Sequence, residues 1–225
     1  MEQDVTVSET EVEQTPTARR EAERCPTCDA ALPAGSRFCA QCGRALAAAL
    51  APEAGSRLTI AFVDLEGFTT FASQTEDEAV RDLIRTFHGL VREAVGRHGG
   101  YEVKQLGDGF MLAFSSPKRA VACAVDVQRR AGQYAEASEG PSLLRISAGL
   151  NSGDAIREGD DFFGHTVNVA SRIAERAKGG QVLIAETTRV LTGEIEGISF
   201  TDAGRRRLRG LQGRHRIYEV VWWDD

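Results

Sequence analysis

The residues of this chain best suited to chemistry are two aspartates that close apolar runs and four cysteines set in two close pairs. Asp64 ends the run LTIAFVD (58–64) and is followed by Leu65, Glu66, Gly67, Phe68 and Thr69. A continuous apolar run rich in β-formers predicts a buried central strand. The glycine after it lets a turn open into a helix N-terminus at Gly67 and Phe68, where backbone N–H groups point at anions. A carboxylate beside them can hold a divalent cation that bridges phosphate oxygens. An isolated aspartate there is equally well explained as an N-cap. Asp108 sits in Leu106-Gly107-Asp108-Gly109, where the two β-rich runs of YEVKQLGDGFMLAF (101–114) meet. That is a hairpin signal, and a turn position alone accounts for an aspartate. If the first strand lies beside the hairpin, the two carboxylates converge at one end of a sheet and need a cation between them. Metal ions held in pairs clamp the attacking and leaving oxygens of a phosphoryl displacement.

The cysteines point to a different chemistry. Cys25, Cys28, Cys39 and Cys42 fall within eighteen residues as two Cys-x-x-Cys pairs, while Cys123 stands alone in an amphipathic helix and reads as a small buried side chain. The start of the chain is acidic, the opposite of a secretory leader, and no apolar run approaches the roughly 18 residues of a membrane span. The expectation is a cytoplasmic protein, in whose reducing surroundings clustered thiols bind metal or do redox work. A redox pair of the thioredoxin type expects a neighbouring βαβ pattern that is missing here, so the spacing favours one structural Zn²⁺. Four thiolates leave no open coordination position; such an ion would hold a small fold together without activating water. The segment CPTCDAALPAGSRFCAQCGRAL resembles the short zinc ribbons at the N-termini of many multidomain prokaryotic regulatory proteins, which implies a module for regulation or for contact with a protein partner.

The surrounding elements divide the chain. Residues 1–24 are polar and acidic and predict a disordered tail; 25–44 hold the ribbon; 45–56 read as an Ala-rich linker broken by Pro52 and Gly55; 57–222 form the main domain. With 42% hydrophobic and 27% charged residues, a packed core is expected. Helical spacing of Val80, Leu83, Ile84, Phe87, Val91 and Val95 predicts a long helix, with Thr75 and Glu78 as its capping box and Gly99-Gly100 as its stop. A second helix starts at Ser116-Pro117 and runs towards Gln133, with Ala120, Val121, Ala124 and Val125 inward. LLRISAGLNSG (143–153) predicts a strand, TVNVASRIAERAKGG a helix closed by Gly179-Gly180, and VLIA, ISF and RIYEVVW further strands. The sum is an α+β domain with one layer of helices and one of strands, closer to a ferredoxin-like arrangement than to a doubly wound sheet.

Three stretches together meet a known family. FVDLEGFT (62–69), VKQLGDG (103–109) and GHTVNVASR (164–172) resemble, in order, the motifs of the class III nucleotidyl cyclase catalytic domain, over about residues 57–222. The resemblance implies a ferredoxin-like fold that makes a cyclic nucleotide from a nucleoside triphosphate. It implies two Mg²⁺ or Mn²⁺ ions at Asp64 and Asp108, with the Leu65 carbonyl as a further ligand. It also implies Asn168 orienting the ribose and Arg172 stabilising charge on the α-phosphate, and the i, i+4 spacing of these two puts them on one helix face. The family's purine-reading positions fall on Lys104 and on Asp161 of DDFFG (160–164), counted back from Gly164. Adenine offers an acceptor at N1 and a donor at N6, so a lysine donor and an aspartate acceptor spell adenine. Where the family has a triphosphate-contacting lysine before a glycine, this chain has Arg209-Gly210, which keeps the charge but changes its shape. His165 replaces a frequent asparagine, and Arg157 has no clear counterpart.

The resulting expectation is an adenylate cyclase that converts ATP to 3′,5′-cyclic AMP and pyrophosphate in signal transduction. Metal and purine residues of one site come from two subunits in the family, so a homodimer is implied. One alternative is a silent cyclase-like module that binds nucleotide or a partner, although no motif residue is lost. Another is a nucleic-acid binder using the six arginines between Arg205 and Arg216; the net charge of -6 and the lack of interleaved aromatics argue against it.

Overall fold

A computed structural model describes Arg24, residues 30–32, Pro52, and residues 57–137 and 144–223. The four clustered cysteines lie outside the described residues, as do nearly all of the tail and linker, and the zinc expectation rests on sequence alone.

Strand β1 (Arg57–Leu65) leads through a short helix α1 (Phe68–Gln74) into α2 (Asp77–His98). The hairpin β2 (Tyr101–Leu106) and β3 (Gly109–Phe114) follows, then α3 (Pro117–Ala137) and β4 (Ile146–Asp154). A small two-stranded arm, β5 (Ile156–Glu158) and β6 (Asp161–Phe163), precedes α4 (His165–Ala174). The chain closes with β7 (Val182–Ala185), α5 (Glu186–Thr192), β8 (Ser199–Arg206) and β9 (His215–Val221). The main sheet runs β2-β3-β1-β4-β7-β9-β8. Its first four strands have β1 antiparallel to both β3 and β4, the order of a ferredoxin-like βαββαβ unit.

On one face, α2 and α3 pack Phe87, Val91, Val95, Val121, Ala124 and Val125 against Val63, Leu112, Ile146 and Ile184 of the sheet. The expectation of one helical layer is incomplete, because α4 covers the other face: Ala170 meets Leu58, Ile60 and Met111, while Val169 and Ile173 meet Leu183, Leu208 and Ile217. Glycine permits this approach. A Cβ on Gly149 of β4 would lie 2.1 Å from the Ala174 nitrogen and 2.4 Å from its Cα, atoms that cannot swing aside. Gly149→Ala is therefore expected to cost about 3 kcal/mol through overpacking, and to lower the unfolding midpoint by about 10 °C in a thermal melt.

Two boundaries differ from expectation. Thr75 ends α1 in an extended conformation, and α2 starts after Glu76 without a side-chain cap bond, so no capping box forms. The helix α4 stops at Ala174 and not at Gly179-Gly180. Arg176 N–H and Ala177 N–H bond back three residues, to the Ile173 and Ala174 carbonyls, which tightens the last turn and turns the chain away. Gly99 does end α2, in the left-handed region at φ 65° with its N–H on the Val95 carbonyl.

Candidate active site

The register of β1 on β3 sets Asp64 opposite Gly109, and the Leu65 N–H reaches the Asp108 carbonyl at 3.3 Å. The two aspartates thus arrive at one end of the sheet from a strand terminus and a hairpin turn. They line a common cleft of about 160 Å³ with Leu106, Gly109 and, from α4, Ser171, Ala174 and Glu175. Gly67 takes φ 77° and α1 begins at Phe68, so the turn after Asp64 opens into a helix as its glycine suggested. The Asp64 carboxyl is pushed up to about 6, first by loss of water around it and second by the charge of Asp108; a hydrogen bond from the Leu65 N–H opposes the shift. Among the described residues no cationic side chain is one of the groups that shift it. Two carboxylates and nearby carbonyls, with no third His, Cys, Asp or Glu placed to share one metal ion with them among the described residues, suit a hard cation. Mg²⁺ in particular takes one or two protein carboxylates and completes its shell with water and phosphate oxygens.

Lys104 on β2 and Asp161 on β6 meet at 2.5 Å. Burial pushes the Asp161 carboxyl up, but hydrogen bonds from Lys104 and from the Phe162 N–H outweigh it and leave it below its ordinary range. Asp160 pairs with Arg157 at 3.8 Å, and Asp161 is the aspartate that Lys104 engages. The Lys104 ammonium also lies over the Phe163 ring, 5.7 Å from its centre. Arg157 is engaged elsewhere: it donates to the Gly159 carbonyl at 2.9 Å and to that of Pro52 at 3.3 Å.

Asn168 and Arg172 share one face of α4, opposite the buried Val169, Ala170 and Ile173. Neither lines the cleft of Asp64 and Asp108. Arg172 pairs with Glu175, and Arg209, reaching in from the loop between β8 and β9, donates to the same Glu175 oxygen at 3.3 Å.

The family model of the adenylate and guanylate cyclase catalytic domain matches residues 50–221. The chain belongs to that family. Over 173 residues, 75% of its length, it is 34% identical to a pH-sensitive adenylate cyclase of Mycobacterium tuberculosis, of which the match covers 42%. Its length therefore spans about two fifths of the curated relatives it matches first. The fold of the cyclase domain superposes on that of an adenylate cyclase of Trypanosoma brucei solved in its monomeric state, with TM-score 0.65, 26% identity and coverage of 74% of this chain and 88% of that one. It superposes also on the guanylyl cyclase Cya2, with TM-score 0.60, 26% identity and coverage of 75% and 94%. Among the described residues no helix is long and apolar enough to cross a membrane.

At two residues of this cleft the structure shows a role that motif reading does not supply. Glu175 is one, although its i, i+3 spacing from Arg172 is a legible helix-surface pair. The other is Gly109, which reads as a hairpin residue but also makes room for chemistry. A Cβ there would stand 2.8 Å from Asp64 Oδ1 and 3.0 Å from the Val63 carbonyl oxygen. The backbone oxygen cannot yield, so Gly109→Ala must displace the carboxylate. Because a misplacement near 1 Å costs up to about a hundredfold in rate, we expect kcat/KM of cyclic nucleotide formation to fall about 10- to 100-fold, with a loss of only about 1–2 kcal/mol of stability by denaturant titration.

Proposed function

We propose that this cyclase domain converts ATP to 3′,5′-cyclic AMP and pyrophosphate at sites assembled from two copies of the chain. The observation that carries the catalytic reading is the convergence of Asp64 and Asp108, two carboxylates at one sheet end with no cationic side chain paired to them among the described residues. Two divalent ions bound there, with the Leu65 carbonyl as an added ligand, would neutralise phosphate charge and acidify the ribose 3′-hydroxyl. The 3′-hydroxyl gives its proton to solvent water and its oxygen bonds to the α-phosphorus, while the bond to the bridging oxygen breaks with its electron pair leaving on pyrophosphate. Asn168 orients the ribose. Arg172 and Arg209 stabilise charge as it develops on the phosphates, and the turn at Gly67 and Phe68 borders the triphosphate.

Support for ATP comes from the base-reading pair. Lys104 donates and Asp161 accepts, the order adenine requires; the ion pair between them keeps both side chains in place before a base arrives. Support for a shared site comes from geometry: the cleft within one chain is about 160 Å³, below the roughly 300 Å³ at which small-molecule sites begin, and Asn168 faces outward from α4. A second copy that brings its own α4 over Asp64 and Asp108 would complete two equivalent sites. We further propose a zinc-closed ribbon at Cys25, Cys28, Cys39 and Cys42 that contacts a partner, and a cytoplasmic setting; a zinc-to-protein ratio near one in purified material is the expected result for the ribbon.

The test is direct. Purified protein incubated with ATP or GTP and Mn²⁺ or Mg²⁺ should yield cyclic AMP in a metal-dependent way. No product under any condition would overturn the enzymatic reading, and a clear preference for GTP would overturn the roles given to Lys104 and Asp161.

A further inference from the structure

Glu175 lies on the wall of the cleft that holds Asp64 and Asp108, and a single oxygen of its carboxylate, Oε1, accepts from both Arg172 and Arg209. Its backbone is fixed, since it caps α4 and its N–H bonds to the Ser171 carbonyl at 3.0 Å. The loop that brings Arg209 is fixed on the same helix end. Leu208 is buried against Val169 and Ile173, and the Arg176 guanidinium donates to the Arg207 carbonyl at 2.7 Å. Two arginines 37 positions apart are therefore gathered at one point between two anchored segments.

Glu175 engages one terminal nitrogen of each guanidinium, Nη1 of Arg172 and Nη2 of Arg209. Each arginine carries five N–H donors, and among the described residues neither guanidinium bonds another side chain, which leaves most of both forks for a phosphate. A free arginine side chain loses about 2 kcal/mol of rotamer entropy on being ordered, and a residue that orders it beforehand removes part of that cost from ligand binding. We propose that Glu175 is a positioning residue: it presents Arg172 and Arg209 as a paired grip for the phosphates of a nucleotide whose metal ions the second copy holds. The inference rests on the reading of this site as one that takes a nucleoside triphosphate.

Calorimetric titration of the whole chain with inorganic tripolyphosphate, without divalent cation, tests it independently of turnover. Glu175→Gln keeps the size of the side chain and removes its charge. It should weaken tripolyphosphate about three- to tenfold while leaving the unfolding midpoint within about 2 °C, because an exposed ion pair adds little stability. In the parent chain, Arg172→Ala and Arg209→Ala should be coupled, their combined loss departing from the product of the separate losses. In the Glu175→Gln background the losses should multiply independently. Glu175→Asp, which retains the charge, should recover part of the affinity. Unchanged or tighter binding in Glu175→Gln would overturn the positioning role and mark the carboxylate as a bystander or a competitor of phosphate. No tripolyphosphate binding by the parent chain would instead overturn the triphosphate reading on which the inference stands.

Discussion

Asp64→Asn should abolish cyclic nucleotide formation, by at least about a thousandfold, while making the metal-free chain more stable. Both effects come from the same carboxylate. The substitution removes the charge that a divalent ion needs and leaves the fold intact, since the amide fills nearly the same space and can still accept from the Leu65 N–H. The stability gain follows from linkage. The Asp64 carboxyl lies at about 6 in the folded chain against 3.8 for the free side chain. The folded state therefore binds more protons than the unfolded one between these values, and stability falls as pH rises from about 4 through about 6. Above pH 6 the ionised carboxylate keeps its full cost. A shift of this size corresponds to about 3 kcal/mol; the open rim of the cleft screens it, so about 1 kcal/mol is the expected gain for Asp64→Asn at pH 7. That is about 2–4 °C in a melt without metal. Asp64 also sets the pH dependence of activity. Below about pH 6 a proton competes with the cation, and with metal limiting, product formation should fall about tenfold per pH unit. Raising Mn²⁺ should move that midpoint to lower pH. An unchanged midpoint across metal concentrations would assign the acid limb to another group.

The second large effect concerns the base. In the double variant Lys104→Glu, Asp161→Lys the ion pair between β2 and β6 is retained with its order reversed, so the structural loss should be small. Both side chains are part-exposed, and such pairs contribute about 0–1 kcal/mol. The reading frame changes completely. An acceptor now faces the N1 position and a donor faces the exocyclic position, which matches guanine and leaves adenine with two mismatched contacts. Sites that read a base by hydrogen bonding discriminate strongly, because a mismatch strands buried polar groups. We expect kcat/KM for ATP to fall about a hundredfold and the preference to move to GTP. The single variant Lys104→Glu, which sets two carboxylates against each other, should lose ATP turnover without gaining GTP turnover. If the double variant retained its preference for ATP, base choice would reside elsewhere in the site.

The parts of this domain that were legible in the sequence are those whose signals are local. The run LTIAFVD suits a buried strand, and Gly107-Asp108 between β-rich runs signals a tight hairpin; once the two lie side by side, Asp64 and Asp108 share one sheet end. Gly99 as the stop of α2 was equally readable. The end of α4 was not: Gly179-Gly180 is a strong local stop, but the helix is closed earlier, by the short-range bonds of Arg176 and Ala177. The second face of the sheet was hidden for a related reason, because nothing in the residues around Gly149 announces that a helix backbone lies against it. The arm of β5 and β6 has three-residue strands, too short for any periodicity, yet it carries Asp161 to Lys104. Of the residues in the proposed site, motif reading supplied the aspartates, Lys104, Asn168 and Arg172. Glu175 and the space at Gly109 emerged only from three-dimensional neighbours.

The central claim is that ATP is cyclised at a site built from two chains, and mixing two inactive variants tests it. Asp64→Asn removes the metal side of each site, and Arg172→Ala removes the phosphate side; each variant alone should be inactive. When the two are exchanged in equal amounts, half of the dimers should pair unlike chains, and each such dimer holds one intact site, so about a quarter of the parent ATP-cyclising activity should return. An active parent whose two variants fail to complement on mixing, at concentrations where chains exchange, would contradict the shared site and place all of these residues in one chain.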